Sequence, residues 1–172
     1  PYEVAVSFKP VGQDKGEGLY RRSVYTYWKQ TGPAPAMMAL DASKRDICRV
    51  KRERTSSPVQ ALVILNDPQL IEAARVLAGR LVEDHGDNVD GIIEEAFRLL
   101  TSTRPAAEQS RVLRDLYQQQ REFYQQNAEL TESLLASGQA PRRQLATPAA
   151  HQAAVTVLIN ALLSYDGCVM RR

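Results

Sequence analysis

The chain has 172 residues, 44% of them hydrophobic, enough to bury the core of one domain and too apolar for a disordered polypeptide. A formal net charge of +2 argues against a dedicated nucleic-acid or membrane-surface protein. No apolar run approaches the roughly 20 residues that a bilayer span requires, which argues against membrane insertion.

The charge is unevenly spread. Residues 1–60 carry 11 Lys/Arg against 6 Asp/Glu, whereas residues 61–172 carry 11 against 14. The chain opens "PYEVAVSF" without an initiating methionine, so it reads as a piece of a longer protein whose leader says nothing about its destination. Residues 1–18 alternate briefly and then break into Gly, Lys and Asp, the pattern of an extended arm and a loop. "LYRRSVYTYWKQT" (19–31) suits a strand by its Val, Thr, Tyr and Trp content, while Val24, Tyr25 and Trp28 also suit a helical stripe. Pro33 and Pro35 then argue against a regular helix in "GPAPAMMALDASKRD".

From residue 57 the pattern is helical. Ser57 caps, Pro58 takes the first helical position and Gln60 completes a capping box, so a short helix is predicted through "VQALVIL". Asn66-Asp67-Pro68 stops it and starts the next, with Asp67 as cap. In that second helix Leu70, Ala74, Leu77 and Leu81 form one stripe, with Glu72, Arg75 and Glu83 away from it. "VDGIIEEAFRLL" turns Ile92, Ile93, Ala96, Phe97 and Leu100 inward, and the following helix spaces Leu113, Leu116, Gln120, Phe123 and Tyr124 at helical intervals. A weaker helix near "ELTESLLAS" and a loop follow, in which Thr147-Pro148 reads as a cap and first turn. The last helix, "AAHQAAVTVLINALLSY", is apolar nearly all round and is therefore expected at the centre. The expected fold is mainly α: an irregular N-terminal third, with room for short strands, packed on five to six helices. An arm at 1–18 precedes a single helical domain at 19–172.

Chemical motifs are sparse. His85 and His151 lack metal-ligand spacing, and Cys48 and Cys168 stand far apart, so no metal site is expected. Two such cysteines could pair in an oxidising compartment, but buried free thiols are the simpler reading. Lys44, Arg45, Arg49, Lys51, Arg52 and Arg54 form a basic run interrupted by Asp46 and Glu53. Without a recognition helix or stacking residues beside it, nucleic acid is not the expected partner. Arginines so placed more often fork onto carboxylates or helix-end carbonyls. Asp41 and Asp166 are the acids most embedded in apolar context, and local capping or pairing is the simpler reading of each.

"LYRRSVYTYWKQT", "PAPAMMALDAS", "CRVKRERTSSPVQALVILNDPQLIEAARVLAGRL" and the closing "NALLSYDG" together resemble one family. It is the C-terminal domain of unknown function found in large secreted, cytochrome-c-containing proteins (PSD-type) of planctomycetes and verrucomicrobia. The specific part is a signature R-x-R-T-x-x-P-x-Q-A-L-x-x-L-N-D-P over Arg52 to Pro68. Ser56 stands where the family tends to have Asn, "LTSTRPA" lacks the glycine of a T-G-R-P turn, and "DGC" at 166–168 replaces Asp-Glu-Phe. Loss of that second acid argues against a carboxylate pair at the C-terminus. The resemblance implies a periplasmic, secreted or cell-surface setting. It places haem in an upstream domain of the full protein, with no cofactor in this segment.

The leading expectation is a non-catalytic binding or assembly module that contacts upstream domains of the same chain and polysaccharide. The alternative is part of a polysaccharide-degrading enzyme whose active site is shared with an upstream domain. Ligand-binding candidates are Asp41, Arg52, Arg54, Thr55, Gln60 and Asn66; no catalytic residue is assigned. These groups flank a short helix, where they would either satisfy buried backbone or hold an anion, and the first role is expected.

Overall fold

The structure, a computed structural model, describes residues 15–25, 35–42, 50–51 and 55–169. It is mainly helical and forms two compact units, Pro1–Val63 and Ile64–Arg172. No strand occurs among the described residues; of the stretch 19–31 expected to favour strand, residues 26–31 lie outside them.

In the first unit the chain makes 3-10 turns at Gly16–Tyr20 and Ser23–Tyr25, then a five-residue helix, α1 (Pro35–Ala39). The prolines were expected to prevent a helix at this point. Instead Pro35 opens one, because the first helical position needs no N–H and welcomes a φ fixed near −65°. α2 (Pro58–Asn66) begins as its sequence requires. Ser57 N–H donates to Gln60 Oε1 at 2.9 Å, and Gln60 N–H donates to Ser57 Oγ at 3.3 Å, the reciprocal capping box.

The second unit holds α3 (Pro68–His85), α4 (Val89–Thr101), α5 (Ala107–Gln126), α6 (Ala128–Leu135), α7 (Ala149–Leu163) and α8 (Asp166–Val169). Asp67 caps α3 by accepting from the N–H groups of Gln69 (2.8 Å) and Leu70 (3.3 Å). Asn88 caps α4 through Gly91 N–H at 3.2 Å. α7 is the central helix, as its all-round apolarity predicts: α3, α4, α5, α6 and α8 all pack against it. Its Ala154, Val155, Leu158 and Ile159 are fully buried and meet Ala74, Ala78 and Leu81 of α3, with Ile92, Ile93 and Phe97 of α4, in one apolar cluster.

Three details depart from the sequence expectation. On α5 the buried residues are Leu113 and Tyr117, one helical repeat apart, whereas Phe123 is 45% exposed and stacks edge-on against Tyr124. Thr147 does not cap α7: Pro148 occupies the cap position, and the Thr147 hydroxyl is buried without a protein partner. Glu72 and Arg75, expected away from the core stripe, are 5% and 2% exposed.

The last departure has a clear cause. The segment between α6 and α7 crosses α3 and presents backbone groups that must be paired on burial. Arg75 Nε donates to the Ser137 carbonyl (3.0 Å) and its Nη2 to the Ala140 carbonyl (2.6 Å), while Ala140 N–H donates to Glu72 Oε1 (2.6 Å). Outside this clasp, Arg142 pairs with Glu132 at 2.5 Å and Arg143 with Glu83. Gly138 sits in the clasp with φ +88°, and a Cβ there would overlap the Glu72 carboxyl, which its bond to Ala140 holds in place. Gly138→Ala therefore combines left-handed strain with a clash. It is expected to cost roughly 2–3 kcal/mol and to show as a lower midpoint in chemical denaturation. A midpoint equal to that of the wild type would mean the loop is not clasped in this way.

Candidate functional site

The sequence candidates separate into three groups. Asp41, Thr55 and Gln60 come together in the first unit. Asp41 lies just past α1 in a left-handed conformation (φ +59°), which turns the chain and presents its carboxylate to the segment entering α2. Thr55 N–H donates to Asp41 Oδ2 at 2.7 Å, and the Thr55 hydroxyl lies 3.0 and 2.9 Å from the two carboxylate oxygens. Gln60 Nε2 donates to Asp41 Oδ2 and to Thr55 Oγ1, both at 2.9 Å. Arg52 and Arg54 lie outside the described residues, as do Lys44, Arg45, Arg49 and Cys48. Asn66 closes α2, exposed, about 9 Å along the helix axis from Gln60.

This network explains why glutamine is required at position 60. A capping box accepts Glu or Gln equally well. Here Oε1 completes the box while Nε2, on the same buried amide, faces a carboxylate, so a second acid would meet like charge. The Thr55 N–H and hydroxyl, with Gln60 adding to them, hold the Asp41 carboxyl below its ordinary 3.8. Donors so placed suit an ionised carboxylate that ties α1 to α2, not one that gives up a proton on demand.

A second constellation, in the other unit, was not assembled from sequence. His151, in the first turn of α7, is fully buried. Its Nε2 lies 3.1 Å from the Gly86 carbonyl, which can only accept, so Nε2 carries the proton. Nδ1 is then an acceptor, and the Tyr117 hydroxyl donates to it at 2.6 Å, with the rings edge-on at 5.6 Å. Burial pushes the imidazole below its usual 6.5, so the ring is neutral. Burial likewise raises the Tyr117 hydroxyl, against a lowering by the neighbouring Arg121. The signal available in sequence was weak: a histidine inside an apolar helix needs partners, but the sequence does not say which.

Tyr117 forms the floor of an open cleft of about 780 Å³ between the entry to α4 and the outer face of α5. Asp87 and Asp90 stand on one wall, and Arg114, Arg121 and Gln125 on the other. Arg114 bridges the walls, its Nε and Nη2 reaching Asp90 Oδ1 at 3.0 and 2.6 Å. Elsewhere, His85 pairs with Glu95 across the α3–α4 turn. Cys168 is a free thiol, half-buried, and burial pushes its pKa up and away from nucleophilic use. Among the described residues no group of three or more His, Cys, Asp or Glu side chains is placed to hold a metal, and no helix is long and apolar enough to cross a membrane.

The family model PSD1, a protein of unknown function (DUF1553), matches residues 1–117. The chain belongs to this family. The PSD1 match takes in the arm, Asp41 and the whole Arg52–Pro68 signature, and it ends on α5 at Tyr117; the closing "NALLSYDG" lies outside it. No curated protein and no solved structure matches the chain.

Two outcomes follow for these networks. Gln60→Glu should lower the melting temperature at neutral pH and lose most of that deficit near about pH 4, where the two carboxyls share a proton. Adding Asp41→Asn to Gln60→Glu should restore stability at neutral pH; a Gln60→Glu protein as stable as wild type would disprove the Asp41–Gln60 contact. For His151 the folded chain binds protons less readily than the unfolded one. Its contribution to stability is therefore complete above about 6.5 and drains away as the pH falls from there toward the depressed folded value. Proton titration followed by NMR should find the His151 ring still neutral below 6.5. Tyr117→Phe, which strands a buried acceptor, should cost about 1–3 kcal/mol in denaturation at neutral pH.

Proposed function

We propose that this chain is a non-catalytic binding and assembly module of a secreted, haem-linked multidomain protein, seated against a neighbouring domain of the same protein through the segment ending at Val63. The observation that carries this reading is where apolar surface is left uncovered. Val24, Tyr25, Leu40 and Val59 are 75%, 66%, 44% and 62% exposed, and no described residue up to Val63 is a buried hydrophobic; the buried side chain there is Gln60. A segment held by hydrogen bonds while its large apolar side chains face outward is built to be completed by another surface. That segment also falls within the PSD1 match.

Asp41 bears on the competing reading, in which it would join Arg52 and Arg54 in an active site shared with an upstream domain. A general acid must hold its proton near working pH, and the donors around Asp41 push the other way. This supports scaffold over catalyst, and it leaves Thr55 and Gln60 as positioning groups for α2. Polysaccharide is the ligand class this reading assigns to the module as a whole, with haem carried elsewhere in the full protein.

The test is association of this chain with the separately produced remainder of the full-length protein, measured by calorimetry. Wild type should bind, and Tyr25→Ser with Val59→Asp should weaken binding at least about tenfold while the melting temperature holds. Failure of the wild type to associate, or equal binding by the double variant, would end the assembly reading.

A further inference from the structure

The cleft beside Tyr117 is lined in part by side chains that the fold does not use. Along α5, Gln118, Glu122 and Gln125 recur at helical spacing and face the same space as Arg114 and Arg121. The Arg114 guanidinium is committed to Asp90, and Asn88 Oδ1 to the start of α4. Among the described residues neither glutamine amide has a hydrogen-bond partner, so each presents a carbonyl and two N–H donors in one plane to whatever enters. Behind them the floor is rigid: the Tyr117 hydroxyl is held by His151, and His151 by the Gly86 carbonyl.

We propose that this cleft binds a neutral, hydroxyl-rich ligand of the oligosaccharide class. Charge selects against the other candidates. A polyanion would meet Asp87, Asp90 and Glu122, and a polycation would meet Arg114 and Arg121. An apolar ligand would strip water from all of these groups without replacing their bonds. Paired sugar hydroxyls both donate and accept, which is what planar amides and carboxylates at this spacing can answer in pairs. The volume, about 780 Å³, lies within the range of small-ligand sites, and the cleft is open to solvent. Tyr117 acts here as a positioning residue that fixes the floor.

The inference deepens the binding half of the function proposed above but uses residues of the other unit. Its failure would leave the association measured with Tyr25→Ser and Val59→Asp standing. The experiment titrates the whole chain with neutral glucan, xylan and mannan hexasaccharides, and with oligogalacturonate and chitosan oligomers as charged arms. Amide shifts are read by NMR. At least one neutral oligomer should shift the signals of residues 87–90 and of α5. Gln118→Ala with Gln125→Ala, both on the exposed face, should weaken that binding at least about tenfold with an unchanged melting temperature. No shift with any neutral oligomer, equal binding by the double variant, or equally tight binding of the charged arms would each overturn the proposal.

Discussion

A polar group buried without a partner costs stability, and α7, with five other helices packed on it, carries several polar groups to satisfy. Its apolar residues explain why α3, α4, α5, α6 and α8 gather round it. Its polar residues determine how they gather. Thr156 turns its hydroxyl back onto the Gln152 carbonyl at 2.8 Å and asks nothing of other helices. His151 cannot do this. Both of its ring nitrogens need partners from outside, and it takes one from the turn after α3 and one from the middle of α5. A single imidazole thus registers three elements that apolar packing alone would leave free to slide.

The same demand reappears where the chain enters α7. The loop from α6 must pass α3, and a passing loop brings unpaired carbonyls and N–H groups into a dry surface. Glu72 and Arg75 answer it, one accepting and one donating, from adjacent turns of α3. Their burial is not an exception to the rule that charged residues stay outside. It is the condition under which an irregular segment can lie against α3, and Gly138 is the residue that lets the backbone come close enough.

Local chemistry was legible in the sequence to the extent that it was local. The Ser57–Gln60 box, the Asp67 cap and the inward stripe of α4 each lie within a few residues, and each is present as read. The central place of α7 was legible as well, because a helix apolar nearly all round admits one environment. What could not be read were the pairings across 34, 62 and 65 residues, where one partner looks like an ordinary polar position. Glu72 and Arg75 at i and i+3 have the spacing of a surface ion pair, and nothing near them announces the loop they hold. Phe123 misled in the opposite sense. Its spacing fits the α5 stripe, but the buried aromatic is Tyr117, whose hydroxyl has somewhere to go.

Of the candidate site, Thr55 and Gln60 belong to the signature and Asp41 to the separate stretch before it, and the three are together in space, across 14 and 19 residues. Thr55 and Gln60 spend their hydrogen bonds on Asp41 and on each other, so residues that look like a binding site read physically as a joint. The cleft beside α5 shows the reverse pattern. Its glutamines were given no role by the sequence, and among the described residues they have bonds still to make. A side chain whose capacity the fold has consumed contributes rigidity, and one left over is available to a ligand. By that criterion the joint and the ligand surface of this chain lie at different places. Thr55 and Gln60, the signature residues of that joint, are the ones whose bonding capacity the fold has consumed.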